Sequence, residues 1–387
     1  HFSSWKSGDI PEFDRPMPAP ITEKKSVTVT YPGEENVIIG FDTAPTKHED
    51  EPALKLLDMI LDNASAGLIN LNLNQKQRVA QAGSFPYIRN DAGSQFLWGA
   101  PKQGQTLEEV EALLLEQLDI IKRGAFEDWI LPAIVTDFKK SEKLAMESNA
   151  GRLRLISTAF GEKKDWAAVV SEIDRMEAIT KEDIVAIANK YFSEPYVVAY
   201  RKDGPYTPPT VPKPNFDPID IDRSRRSEFA ASVLAIDADP IEPEFIKKGD
   251  DYQVMQLGKG VRLLYVENPV NDLFALTKVY EMGSREMRKL PMASALLDKS
   301  GTKKRGPAEL KRAWYELGAA FSFGVADHNT SISISGLEEN FDETLALFQE
   351  VMNESVGDAE TLEQLVEHAK ANPGLVTFAG SGSNSSN

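Results

Sequence analysis

Apolar and polar positions along the chain follow two periods, and the switches between them lay out the predicted elements. "SVTVTY" and "NVIIGFD" carry β-branched residues around "PGEE", which predicts two strands joined by a turn. From Asp50 to Asn63 the apolar residues Ala53, Leu54, Leu56, Leu57, Ile60 and Leu61 recur at helical spacing. "GSFPYIRND" and "SQFLWGAPK" read as a strand pair turning at "NDAG". Helices follow. Thr106 with Glu109 three residues on forms a capping box, and Gly124 closes the same helix. Residues 126–160 read as one long helical region and "DWAAVVSEIDRME" as a shorter helix. Thr180 with Asp183 opens another, and "PYVVAYRKDG" returns to strand.

Residues 203–250 lose periodicity and gain Pro and charge, the signature of a long linker. "YQVMQLGKGVRLLYVEN" then reads as a hairpin turning at "GKG", and "DLFALTKVYEMGS" as a strand. Two helices are expected near 288–300 and 307–317, with "AAFSFGVADHNTSISISGL" after them as a hairpin of clean period-two alternation. Helices near 339–353 and 358–371 complete the pattern, and the tail "GSGSNSSN" is low-complexity and expected to be disordered. Both halves run strands, helix, hairpin, helices, a weak internal repeat without obvious sequence identity. That order predicts an α+β fold with each half built on one sheet.

Composition narrows the classes. The 387 residues exceed one typical core, and 41% apolar with 27% charged residues fits a globular protein. No apolar run reaches the length of a membrane-spanning helix. A net charge of −17 argues against nucleic acid as partner, because a phosphate backbone demands excess Lys and Arg. The absence of cysteine excludes disulfides, Cys-ligated zinc and thiol catalysis. The chain opens "HFSSWKSGDIPEF" without initiator Met or secretory signal, so a start inside a larger protein is expected.

Candidate chemistry is sparse. Histidine occurs at His1, His48, His328 and His368, whereas a zinc site without Cys needs two or three His with carboxylates. His48 lies in a loop ahead of a helix and His328 in a turn between strands. "QLVEH", Gln364 to His368, nearly matches the inverted zinc motif His-x-x-Glu-His, but Gln364 takes the place of the first His and removes a ligand. No Gly-x-Ser-x-Gly elbow, phosphate loop or dinucleotide fingerprint is present. The acidic pairs Glu108–Glu109 and Glu338–Glu339 lie at helix starts, where they favour the helix dipole. From residues alone, nothing assembles an active site.

At "LGKGVRLLYVENPVNDLFALTKVYEMGSRE" the chain resembles the insulinase/pitrilysin family of zinc endopeptidases, which includes mitochondrial processing peptidase. Leu257 to Leu263 resembles that family's opening strand, Gly283-Ser284-Arg285-Glu286 its strand end, and Gly301-Thr302 the stop after its zinc helix. Counting back from that stop, the motif's His, Glu and His fall on Met292, Ala295 and Leu296, so catalytic and metal residues are expected to be absent. Pro291 to Lys304 holds no His or Glu, and no shift of register restores the motif. The family pairs substrate peptide with an edge strand, a place taken here by Ala320, Phe321, Ser322 and Phe323. Read by themselves, those residues form an ordinary hairpin with Phe321 and Phe323 on one face. Residues 26–202 are similar to the family's other half-domain.

The resemblance implies two half-domains of the insulinase/pitrilysin-like fold, each a mostly antiparallel sheet packed with helices. Expected boundaries are an extended segment 1–25, a C-terminal-type half-domain 26–202, the linker 203–250, an N-terminal-type half-domain 251–371 with a degenerate zinc motif, and the tail 372–387. It implies a non-catalytic section of a zinc metalloendopeptidase that encloses and helps bind peptide. No cofactor is expected in this chain, with zinc expected in the full-length parent upstream of His1. The implied partners are peptide or unfolded polypeptide, and other half-domains of the same protein or a partner subunit. Nucleic acid and a membrane span are not expected. The alternative is a wholly inactive member acting as scaffold or assembly subunit.

Overall fold

The computed structural model describes residues 17–357 except 64, 213, 215–221, 223–224, 238–239 and 298–299, together with 4, 6, 8–9 and 363. The near-motif at Gln364 to His368, His1 and the tail lie outside the described residues. The fold is α+β. Among the described residues, those up to Pro205 and from Val270 onward belong to one compact unit, and those from Tyr206 to Pro269 to a second.

The first unit opens with strands β1 (Lys25–Thr30) and β2 (Asn36–Thr43), helix α1 (Glu51–Leu61), and strands β3 (Gln81–Ile88) and β4 (Gly93–Ala100). Helices α2 (Leu107–Lys122), α3 (Ile130–Met146), α4 (Asn149–Gly161), α5 (Trp166–Val170), α6 (Glu172–Glu177) and α7 (Lys181–Tyr191) lead to strand β5 (Val197–Lys202). The five strands form one sheet in the order β1-β5-β2-β4-β3, antiparallel except where β1 runs alongside β5. Alternation along β2 sends Val37, Ile39 and Phe41 inward against Leu54 and Leu57 of α1, Leu114 of α2 and Ile184 of α7. The capping boxes at Thr106 and Thr180 form as the pattern predicts.

Buried carboxylates tie helices to this sheet. Asp58 of α1 accepts hydrogen bonds from Gln95 Nε2 (2.6 Å) and Ser84 Oγ (2.7 Å), and Asp62 one turn later accepts from the Ser84 amide (2.8 Å). Burial dominates over these bonds and raises Asp58 to about 6. Glu111 of α2 accepts from the hydroxyls of Tyr196 and Tyr200 and from Lys24, which joins α2 to the β1–β5 edge.

The periodicity over 126–160 is interrupted in the structure. Ser148 adopts an extended conformation, accepts from the Gly151 amide and starts α4 as a separate helix. Ser171 divides α5 from α6 in the same stretch of helical pattern. The second unit holds helix α8 (Glu228–Leu234), which the Pro-rich composition does not announce, and the hairpin β6 (Gln253–Gly258) with β7 (Val261–Tyr265). Ser227 caps α8 through the Ala230 amide.

The remainder of the first unit comprises β8 (Leu273–Tyr280), α9 (Leu290–Leu297), β9 (Gly301–Thr302), α10 (Pro307–Glu316), β10 (Ala320–Val325), β11 (Thr330–Leu337), α11 (Phe341–Glu354) and β12 (Ser355–Val356). Strands β10, β11 and β8 form an antiparallel sheet in that order. Ile332 and Ile334 pack beneath it on Phe348 of α11. Helix α10 lies on α3, where Trp129 meets Tyr315 edge to face at 6.5 Å and Arg312 lies 4.6 Å from the Trp129 ring centre. Lys143 pairs with Asp272, and Lys139 with Glu339 at 3.2 Å, along the same junction.

Candidate functional site

Helix α9 carries the three positions at which the resemblance places metal ligands and base. Met292 is partly exposed, and Ala295 and Leu296 follow on the next turn. A thioether and two alkyl side chains offer neither the imidazoles zinc prefers nor a carboxylate to take a proton from bound water. Among the described residues no group of three or more His, Asp or Glu is placed to hold a metal ion. The two described histidines have local partners. His48 Nδ1 accepts from the Asp50 amide at 3.1 Å. His328 Nδ1 lies 3.1 Å from Glu286 Oε1, and Glu286 also accepts from the Gly283 amide at 2.8 Å. That amide, followed by His328, holds the Glu286 carboxyl below its ordinary range. Glu286 thus ties the end of β8 to the turn between β10 and β11, a pairing that 42 residues of separation hid in the sequence.

The Gly-Thr stop after α9 is a structural anchor. A side chain at Gly301 would lie 2.4 Å from the Arg305 carbonyl, so the chain passes there only without a Cβ. Gly301 and Thr302 pair with Val356 and Ser355. Thr302 Oγ1 donates to Glu350 Oε1 at 2.6 Å, and Arg305 pairs with the other oxygen of that carboxylate. Burial works against ionisation of Glu350, but these two donors outweigh it and lower its pKa.

Strand β10 brings together the four residues proposed from the resemblance. It is an edge strand, with β11 as its one neighbour among the described residues. Phe321 and Phe323 turn inward, and Phe321 stacks on Trp314 at 5.5 Å, while Ala320 and Ser322 face outward. The Ala326 amide donates to the Asn329 carbonyl, which sets the phase of the antiparallel ladder. In that phase Ala320, Ser322 and Gly324 pair with β11, and the main-chain groups of Phe321, Phe323 and Val325 point away from it. The Phe323 carbonyl accepts from Ser294 Oγ of α9 at 2.7 Å, which places α9 beside this edge and occupies one of its outward acceptors. Of the five-stranded sheet's two edges, β1 and β3, the second is blunted more fully than β10. Its Ser84 amide is taken by Asp62, and Pro86 has no amide to donate.

Residues 1–137 match the peptidase M16 inactive domain. That match spans β1 to β4, α1, α2 and the start of α3. Pitrilysin shares the fold over 93% of this chain and 41% of its own, with a TM-score of 0.51 at 11% identity. A protease from Helicobacter pylori is 21% identical, with 52% of this chain and 50% of that one covered and a TM-score of 0.49. A peptidase M16 inactive domain from Pseudomonas fluorescens is 13% identical, with 53% and 48% covered and a TM-score of 0.42. The chain spans half or less of the length of these solved structures. No curated protein matches the sequence.

Proposed function

We propose that this chain is a non-catalytic section of a zinc-dependent metalloendopeptidase that encloses peptide substrates and helps bind them, with zinc held by residues outside this chain. The half-domain boundaries at 26–202 and 251–371 belong to this reading, as do other half-domains of the same protein, or a partner subunit, as partners. One observation carries it. Edge strand β10 directs the main-chain groups of Phe321, Phe323 and Val325 away from its sheet, the Phe323 carbonyl held by Ser294 and the others facing the edge, next to a helix whose Met292, Ala295 and Leu296 cannot bind zinc or move a proton. Such an edge can accept an extended peptide as an added strand, while the neighbouring helix can do nothing to its amide bonds.

The test is equilibrium binding of fluorescein-labelled extended peptides to the 387-residue chain, with peptide integrity followed by mass spectrometry and metal by elemental analysis. Saturable binding without cleavage and without stoichiometric zinc is expected. Cleavage by the purified chain, or one zinc per chain, overturns the proposal. No binding of any extended peptide, with assembly onto other half-domains retained, gives the scaffold reading instead.

A further inference from the structure

A cavity of about 590 Å³ opens at the start of β10, walled by α1, α3, α9, α10 and Phe321. Its apolar surface comes from Leu297, Leu310, Trp314 and Phe321. Its polar rim is basic on balance. Lys140 is paired with Asp137 at 2.9 Å, and Lys311, one turn before Tyr315, has no ion-pair partner among the described residues. Two lysines against one aspartate make a positive spot on a chain of net charge −17.

We propose that this cavity is a side-chain subsite: it takes a large aromatic or aliphatic side chain of a peptide paired to β10, with an acidic residue of that peptide on Lys311. The proposal rests on the reading of β10 as a peptide-docking edge and adds the class of sequence recognised. Three observations converge on this occupant. Phe321 belongs to both features, since its main chain faces the open edge and its ring lines the cavity. A peptide strand extended past Ala320 therefore runs to the mouth of the cavity, and the alternation of a strand sends every second side chain to one side. The walls of Leu297, Leu310, Trp314 and Phe321 match an apolar side chain, whose burial there removes apolar surface from water. Lys311, without an ion-pair partner among the described residues, matches a carboxylate, and the net negative charge of the chain disfavours acidic residues elsewhere along the peptide.

The experiment uses the 387-residue chain and a fluorescein-labelled peptide Ala-Ala-Asp-Phe-Ala-Ala, read by fluorescence anisotropy. Four further probes replace Phe by Ala, replace Asp by Lys, or carry N-methyl groups on each of the two alternating sets of backbone amides. The Phe peptide is expected to bind about tenfold or more tightly than its Ala counterpart. The Asp peptide is expected to outbind its Lys counterpart, with that preference lost in Lys311→Glu. Leu297→Trp fills the cavity and is expected to remove the preference for Phe. Its fold is checked by far-UV circular dichroism, and Leu297→Met, which keeps the volume, should retain the preference. If either N-methylated probe loses binding while Phe and Ala peptides bind equally, the edge reading stands and the subsite is overturned. If no peptide binds at all, the edge reading fails and the subsite with it. Undiminished Phe preference in a folded Leu297→Trp variant also overturns the subsite.

Discussion

Asp58 lies beneath the five-stranded sheet with its carboxylate between Ser84 and Gln95, one helical turn from Asp62. Burial raises its pKa from 3.8 to about 6, with Asp62 adding to the rise and the two hydrogen bonds opposing it. The fold therefore prefers the protonated carboxyl. Its contribution to stability is complete below the unfolded value of 3.8 and is lost as pH rises through about 6. Asp58→Asn keeps an acceptor and a neutral group at every pH. The difference in melting temperature between variant and parent should accordingly grow in the variant's favour from pH 4 to pH 7, as read by differential scanning calorimetry. Glu350 behaves in the opposite sense, since its pKa is lowered. Glu350→Ala leaves Thr302 and Arg305 without their acceptor and should cost about 1.5–3 kcal/mol in urea denaturation at pH 7.

Among the elements, the N-caps are the most local. Thr106→Ala and Thr180→Ala each remove a side-chain acceptor and its reciprocal partner, and each should cost about 1 kcal/mol in chemical denaturation. These caps were legible in sequence because every group they use lies within four residues. So were β2, β4, β10 and β11, whose alternation is set by burial of one face. The break at Ser148 was less visible, because a Ser inside a continuous apolar rhythm reads equally as a tolerated helix residue. Helix α8 was missed for a related reason: flanking Pro and charge mask seven residues of helix. The short pairing of β9 with β12 joins segments more than 50 residues apart with two residues each, too few for any periodicity to register. Met292, Ala295 and Leu296 were placed by counting from the Gly-Thr stop. That their helix lies beside the β10 edge is a long-range matter, marked by the bond from Ser294 to Phe323.

For the whole molecule, the division into units gives a prediction. Limited proteolysis should cut first within 206–269, and the fragments 1–205 and 270–387 should elute together on size exclusion. Trp129→Ala removes the ring that Tyr315 and Arg312 both contact and should separate those fragments, with 1 M NaCl assisting by screening Lys143–Asp272 and Lys139–Glu339. Fragments that part in the unsubstituted chain at low salt would show that α3 and α10 do not hold them.

Sequence alone determined the α+β class, the alternation of the β10–β11 hairpin, the caps of α2 and α7, and the chemical poverty of the segment before Gly301. All of these are matters of which residue types stand within a few positions of one another, and local sterics, burial of one face and side-chain chemistry decide them. Tertiary structure alone decided that β10 is an edge strand with α9 on its Phe323 carbonyl, that Glu286 finds His328, and that Phe321 serves both a strand edge and a cavity. Those depend on which distant segments share a surface, and a strand's own residues carry no record of how many neighbours it has.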